Sequence, residues 1–394
     1  DDPSCFLLEV DGFKILLDCG WTERFEVQDL EGLKAVAPQV DAVLLSQASV
    51  SHLGALPYAA KRLGLRAPVY ATVPVWKMGQ MHMYEAHQAL ALERDGALEA
   101  FDLDDVDEAF DRVVQLKYSQ AVRLGSDDGG PRLSVCPVAA GRTLGAAAWR
   151  VSKATETVLY GLDFSLRGER LLEAGALEQV RRPTVFVTAA HPVSRTLPPR
   201  KQQVAHLLDS VVAALRAGTS VLLPTDTAGR SLELLALLDA HWGSHKLQHY
   251  PIAFVGHTSY NTLEFAKAQM EWMSPAIIRA FDLSGQPLSF RSVAPCLSRE
   301  ELDDLGAGPK VVVASTESCD VGFSRSLLLE FLADRDRLVI FTSRGPKRSV
   351  ARALTRGDAA AEQSVKVPRW TEVKLTGAEL AAWREARAEE ARAA

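Results

Sequence analysis

Short apolar runs bounded by turn residues alternate along the first half of the chain with stretches of helical periodicity. Residues 5–10 and 13–17 flank Asp11-Gly12, a dipeptide suited to a tight hairpin turn. Residues 41–46, 68–72, 157–163 and 184–188 are further apolar runs of strand length. From about Arg200 the rhythm becomes cleaner. A helix over 204–216 precedes a strand over 220–224 and a helix over 231–241, with later strands at 310–314 and 337–342, each beside a helical stretch. Strand and helix alternation of this kind predicts a parallel sheet covered on both faces. Lys77, Met78, Met81 and Met83 fit one packed helix better than a cofactor site.

Three segments follow from the pattern: 1–197, 198–368 with its boundary near Pro198-Pro199, and 369–394. Beyond Pro368 the chain turns Ala/Glu/Arg-rich, and 378–394 reads as a helix polar nearly all round, leading to a linker or docking on a partner. The chain opens Asp1-Asp2-Pro3-Ser4, with neither an initiator Met nor a signal-peptide pattern, and so reads as a fragment. No apolar stretch approaches 18 residues, which excludes a membrane-crossing helix.

Five cysteines (Cys5, Cys19, Cys136, Cys296, Cys319) are scattered without a Cys-x-x-Cys pair. That argues against a disulfide framework and a structural zinc site, and fits a reducing compartment. With a formal charge of −6, binding to RNA requires a local basic patch. Arg344, Lys347, Arg348, Arg352 and Arg356 are the strongest basic cluster, and the last three share a face at helical spacing. They are a candidate contact for RNA or a partner, with a solvated helix face as the plainer reading. His241, His245 and His249 are spaced by four, but Gly243 interrupts a helix that would align them, so a solvated turn is expected. The glycines at 141–145 and Gly322-Phe323-Ser324 lack the spacing of phosphate loops.

Four segments carry chemistry. They are Leu16-Leu17-Asp18-Cys19-Gly20, the loop Ser46-Gln47-Ala48-Ser49-Val50-Ser51-His52-Leu53-Gly54-Ala55-Leu56-Pro57, the turn Ala140-Gly141-Arg142-Thr143-Leu144-Gly145-Ala146, and Gly161-Leu162-Asp163-Phe164-Ser165. Together they resemble the metallo-β-lactamase superfamily and its β-CASP nucleases, whose loop reads Ser-His-x-His-x-Asp-His-x-Gly-Ala-Leu-Pro and whose turn carries a His. Those enzymes need imidazoles and carboxylates to hold two zinc ions around a shared hydroxide. Carried over by position, the ligands fall at Asp18, Gln47, Ser49, Ser51, His52, Arg142 and Asp163, with Ala189 where the family places an acid. Only Asp18, His52 and Asp163 keep a ligand type. Ser and Gln are poor zinc ligands and a guanidinium is none, so the ligand count predicts a dead nuclease site without zinc. Arg142 is then expected to stand in for the cations by pairing with Asp18 and Asp163, while His52 reads as a satisfied loop histidine.

The resemblance narrows further. Asp18-Cys19-Gly20-Trp21, His52 to Ala59, Tyr70 to Met81, Phe101 to Asp107, Asp226-Thr227-Ala228-Gly229-Arg230 and Glu271-Trp272-Met273-Ser274 look like the family of subunit two of the cleavage and polyadenylation specificity factor. That resemblance implies an αββα sandwich, incomplete here, with an inserted β-CASP α/β domain. It also implies a nuclear, non-catalytic scaffold in pre-mRNA 3′-end processing, partnered by the active zinc endonuclease subunit, a symplekin-type scaffold and pre-mRNA. Two competing readings are an active metal-dependent endoribonuclease with an atypical site and the analogous inactive subunit of the Integrator complex.

Overall fold

The run Ala42-Val43-Leu44-Leu45 is fully buried, because its strand is covered on both faces. Val43 and Leu45 join a core with helices, whereas Ala42 and Leu44 join a core between two sheets, as the two-residue period of a strand requires. The computed structural model describes residues 3–93, 100–125, 133–190, 198–284, 288–333, 337–356, 376–378 and 380–385. Residues 1–361 form one compact unit and residues 362–394 another. In the latter, the described residues make a turn that leads into a helix; the rest of the expected polar tail lies outside the described residues.

The first sheet has the order β1 (Phe6–Val10), β2 (Phe13–Leu17), β3 (Ala42–Leu44), β4 (Val69–Thr72), β5 (Val113–Leu116). Its β1–β2 pair is antiparallel and the remaining pairs are parallel. The hairpin turns at Asp11 and Gly12, both at positive φ, as the expected turn demands. The second sheet comprises β6 (Val122–Leu124), β7 (Leu133–Ala139), β8 (Ala147–Lys153), β9 (Glu156–Tyr160) and β10 (Val185–Val187), ordered β10-β9-β8-β7-β6. Ile15, Leu17, Leu44 and Leu116 of one sheet pack against Val135, Trp149, Val151 and Tyr160 of the other. Helices cover the outer face of the first sheet, with Leu53, Met83 and Phe110 among their contributions. The outer face of the second sheet carries only a small cluster around Leu159, Leu177 and Val180. Among the described residues, the sandwich is covered by helices on the side of the first sheet.

The third sheet is wholly parallel, ordered β13 (Val293–Cys296), β12 (Ile252–Val255), β14 (Val311–Ser315), β11 (Val221–Thr225), β15 (Leu338–Val339). Both faces are buried: Leu223, Phe254 and Val313 on one, Leu222, Val255 and Val312 on the other. The expected helix over 204–216 begins earlier, at Arg200. The helix expected over 231–241 runs Arg230–His245, straight through Gly243. One glycine costs about 1 kcal/mol in a helix, and the buried Leu235, Leu238 and Trp242 outweigh it. His241 and His245 therefore stack at 3.9 Å on one helix face instead of lying in a turn, and His249 packs against Tyr250 beyond its end.

Helix Val73–Glu93 joins the two lobes. Met83, Ala86, Ala89 and Leu90 belong to the core of the first, Met78 and Met81 to that of the second. Its Glu85 is fully buried and bonded entirely to the second lobe. Oε2 accepts from Thr258 N (2.9 Å) and Oγ1 (3.3 Å); Oε1 accepts from Ser315 Oγ and lies 3.3 Å from His257 Nδ1. Removing one partner of such a buried network strands the others. Glu85→Ala is expected to lower unfolding stability by about 3 kcal/mol, read by chemical denaturation. A loss below about 1 kcal/mol would mean that the lobes are held without this contact.

Candidate functional site

The predicted site residues meet where β2 and β3 end side by side. Asp18 follows β2 with φ of 60°, a left-handed conformation that Asp tolerates better than most residues. Its N–H donates to Leu44 O at 2.9 Å, which turns the carboxylate inward to zero exposure. Gly20, two residues on, has no room for a Cβ, which would lie 1.9 Å from Ser51 O. That close approach brings the loop of Ser49, Ser51 and His52 against the end of β2.

Three donors satisfy Asp18: Ser46 N to Oδ1 (2.6 Å), and Ser46 Oγ (2.7 Å) and Tyr160 OH (2.6 Å) to Oδ2. Burial nonetheless pushes its pKa up, opposed by His52 and by these hydrogen bonds. The Tyr160 hydroxyl is pushed far upward as well, first by burial and then by Asp18, so it remains a donor. Gln47 is spent on structure: Nε2 donates to Asp163 O (2.7 Å), and Oε1 accepts from Thr143 Oγ1 (2.6 Å). Ser49 Oγ and Ser51 Oγ lie 2.8 and 3.1 Å from His52 Nδ1. His52 Nε2 is buried without a hydrogen-bond partner, 3.6 Å from Asp163 Oδ2, so the expectation of a satisfied histidine holds for one ring nitrogen only.

Arg142 corrects a second expectation. Its side chain is exposed, and the ion pairs found among the described residues include none from Arg142 to Asp18 or Asp163. Gly141 and Gly145, both at positive φ, shape the turn that carries it, and its carbonyl accepts from Arg230 Nη1 at 3.3 Å. Asp18 is instead satisfied by the neutral donors of Ser46 and Tyr160, which reach it without burying a second charge. Ala189 lies half-buried just after β10.

The donor set does not fit a pair of zinc ions. Asp18 and Gln47 are saturated by the protein, Ser49 and Ser51 are turned to one imidazole nitrogen, and Arg142 is turned away. What stays uncommitted is His52 Nε2 and the Asp163 carboxylate. Among the described residues no group of three or more His, Cys, Asp or Glu is placed to hold a metal.

A cavity of about 1050 Å³ opens between the lobes, with Ser49 and Ser51 on its wall beside Glu23, His82, Asp226 and Glu317. His82 is buried and neutral: Nδ1 lies 2.9 Å from Met78 O, so it donates, and Nε2 accepts from Ala228 N at 3.4 Å. Burial lowers its pKa accordingly. Glu23 is pushed up to about 7, mainly by burial, against hydrogen bonds from Ser318 and Thr316. Glu317 is pushed up to about 7 by burial, then by Asp226 and Glu23. Neither acid was singled out from the sequence, where each is an unremarkable polar position; the pairing exists only across the lobes.

The basic cluster is less regular than its spacing suggests. The helix there is only Val350–Leu354, capped by Ser349, so Arg348, at φ 63°, precedes it and Arg356 follows it. Residues 348, 352 and 356 therefore share no helix face. Ser349 Oγ capping Arg352 N at 3.1 Å fixes the start, and a five-residue helix cannot carry an eight-residue stripe. Lys347, Arg348 and Arg356 line the cavity instead, while Arg344 is exposed and Arg352 is half-buried.

Two predictions follow from these contacts. Tyr160→Phe removes one donor from a buried carboxylate and is expected to cost about 1–3 kcal/mol in unfolding stability; no change would show that Ser46 suffices. Glu23 and Glu317 have folded pKa values above their unfolded ones, so their favourable state is the protonated one. Its stability is full below about pH 4.5 and is lost as the pH rises through about 7. Glu23→Gln with Glu317→Gln should flatten that loss and stabilise the chain at pH 8 by about 1–3 kcal/mol relative to pH 5. Parallel stability–pH curves for the variant and the parent would contradict it.

Comparison with known proteins agrees with the geometry. A metallo-beta-lactamase superfamily domain matches residues 7–189 and a Beta-Casp domain matches residues 231–354. Cleavage and polyadenylation specificity factor subunit 2 of Oryza sativa subsp. japonica is 40% identical over 386 residues, 98% of this chain and 51% of that protein. The protein of the same description from Arabidopsis thaliana is 40% identical over 387 residues, again 98% of this chain and 51% of its own length. Endoribonuclease ysh1 of Schizosaccharomyces pombe is more distant, 26% identical over 360 residues, 89% of this chain and 45% of that protein. The chain spans about half the length of the curated relatives it matches most closely among these. It belongs to the metallo-β-lactamase superfamily, carries a Beta-Casp domain, and is a homologue of subunit 2 of the cleavage and polyadenylation specificity factor.

Proposed function

We propose that the chain is part of a non-catalytic subunit of the nuclear machinery that cleaves and polyadenylates pre-mRNA. Its partners in this reading are the active β-CASP endonuclease subunit and a symplekin-type scaffold. The observation that carries the proposal is the loop after β3: Gln47 is spent on Asp163 O and Thr143 Oγ1, and Ser49 and Ser51 are turned to His52 Nδ1, at positions where the resembled nucleases carry imidazoles and an acid. The relatives named as subunit 2, at 40% identity, support the process, and the loss of loop imidazoles at Gln47 and Ser49 supports the absence of catalysis. Zinc has no place in this reading. A site emptied of ligands leaves the surfaces to act, by positioning the active nuclease and holding the scaffold.

After dialysis against excess zinc and gel filtration, the chain is expected to retain less than about a tenth of an equivalent of metal by elemental analysis. The variant Gln47→His/Ser49→His/Ser51→Asp/Arg142→His should retain more than its parent. One or more tightly held equivalents in the parent, or cleavage of a labelled RNA that chelator abolishes, would overturn the proposal in favour of an active nuclease.

A further inference from the structure

The helix Arg230–His245 ends in two histidines one turn apart. His241 and His245, four residues apart, fall on the same face, and their rings stack with centroids 3.9 Å apart and planes 28° from parallel. Both reach solvent: His241 is half-buried and His245 exposed. Gly243 between them leaves the helix unbroken, because Leu235, Leu238 and Trp242 anchor it in the core. The helix therefore presents side by side two imidazoles that a turn would have scattered.

The surroundings of His245 fix its tautomer. Nδ1 lies 3.1 Å from His241 O, which can only accept, and 2.9 Å from Ser244 Oγ, whose own proton goes to His241 O at 3.0 Å. Nδ1 is thus the donor, and in the neutral ring Nε2 keeps a free lone pair. An imidazole that gives its other N–H to a backbone carbonyl is oriented for a metal and made a better ligand. The His241 ring is held below its ordinary pKa by burial and then by His245, against the opposing pull of Asp209 on the helix Arg200–Arg216. It is neutral at physiological pH, the state in which imidazole binds a metal.

The end of a helix favours a cation as well. The pair occupies the last turn, where carbonyls without intrahelical partners leave a partial negative charge. Lys246, the charge that opposes it, follows in the left-handed conformation and is exposed to solvent. Imidazole nitrogen suits late first-row ions such as Ni²⁺, Cu²⁺ and Zn²⁺, whereas Mg²⁺ and Ca²⁺ take oxygen.

We propose that His241 and His245 form a two-nitrogen clip for a late first-row divalent cation, with water completing its shell. The clip closes over the turn that contains Gly243, so binding and order at the helix end are linked. The helix begins beside the degenerate site, where Arg230 Nη1 donates to Arg142 O, and its 16 residues carry the clip about 20 Å away. The inference goes beyond the non-catalytic reading and does not rest on it. Two protein ligands hold an exchangeable ion, which gel filtration strips from the chain.

The experiment is isothermal titration calorimetry of the chain, free of any affinity tag, with Ni²⁺ at about pH 7.5 in a non-coordinating buffer and with Mg²⁺ as the control. One reversible Ni²⁺ site is expected, and no heat from Mg²⁺. His241→Ala and His245→Ala should each weaken Ni²⁺ binding by about tenfold or more. His249→Ala should change it by less than about twofold, because that ring packs on Tyr250 beyond the helix end. Gly243→Ala, whose Cβ meets nothing within 4 Å, should bind at least as tightly as the parent. Circular dichroism confirms that each variant is folded. The proposal is overturned if the parent takes up no Ni²⁺, or if His249→Ala loses as much as either variant of the pair. Loss of binding in Gly243→Ala would equally overturn it, since a loosened turn and not a helix face would then hold the ion. Nickel bound with full affinity by His241→Ala/His245→Ala would also overturn it and return attention to His52 and Asp163.

Discussion

The carboxylate of Glu85 is the contact on which the arrangement of the lobes turns. It belongs to a helix of the first lobe, it is fully buried, and its bonding partners Thr258, Ser315 and His257 all belong to the second. A buried acid without donors is among the costlier defects a protein can carry, so the first lobe's helix is satisfied only when the second lobe is in place. Packing reinforces the dependence, since the same helix places Met78 and Met81 in the second core and Ala89 against Gly322, where a Cβ would lie 2.9 Å away. At the far side of the contact Glu233 grips the backbone of Arg170 to Leu172, and Tyr118 meets Trp272 edge-on at 4.9 Å. The cleft between the lobes is thus built into the cores and is not a loose hinge.

A carboxylate buried without a cation needs hydrogen-bond donors, and Asp18 finds them in neutral groups of the chain itself. Ser46, two residues past β3, and Tyr160, at the end of β9, give Asp18 three short hydrogen bonds. A guanidinium in the same space would have demanded burial of a second charge, with a desolvation cost that good pairing only just repays. His52 shows the solution to be partial, for its Nε2 still faces Asp163 at 3.6 Å without a hydrogen bond.

What the sequence revealed depended on whether the determining contact was local. The hairpin at Asp11-Gly12, the both-sides-buried strand at 42–45 and the strand and helix alternation of the second lobe are written in short-range pattern, and the loop motif marked residues that gather beside the ends of β2 and β3. Strands β5 to β8, and β12 and β13 of the parallel sheet, were not anticipated. In β7, Pro137 argues against a strand, yet it lies past the stretch that β6 pairs, Leu133 to Val135, where a ladder partner on that side is absent. Arg142 was misplaced because charge complementarity alone does not say which way a turn points; Gly141 and Gly145 decide that through backbone conformation. The helix-face reading of Arg348, Arg352 and Arg356 failed because Ser349 caps a helix after the first of them. Glu23 and Glu317 lie 294 positions apart in sequence, and no local pattern announces that two acids will meet across a cleft.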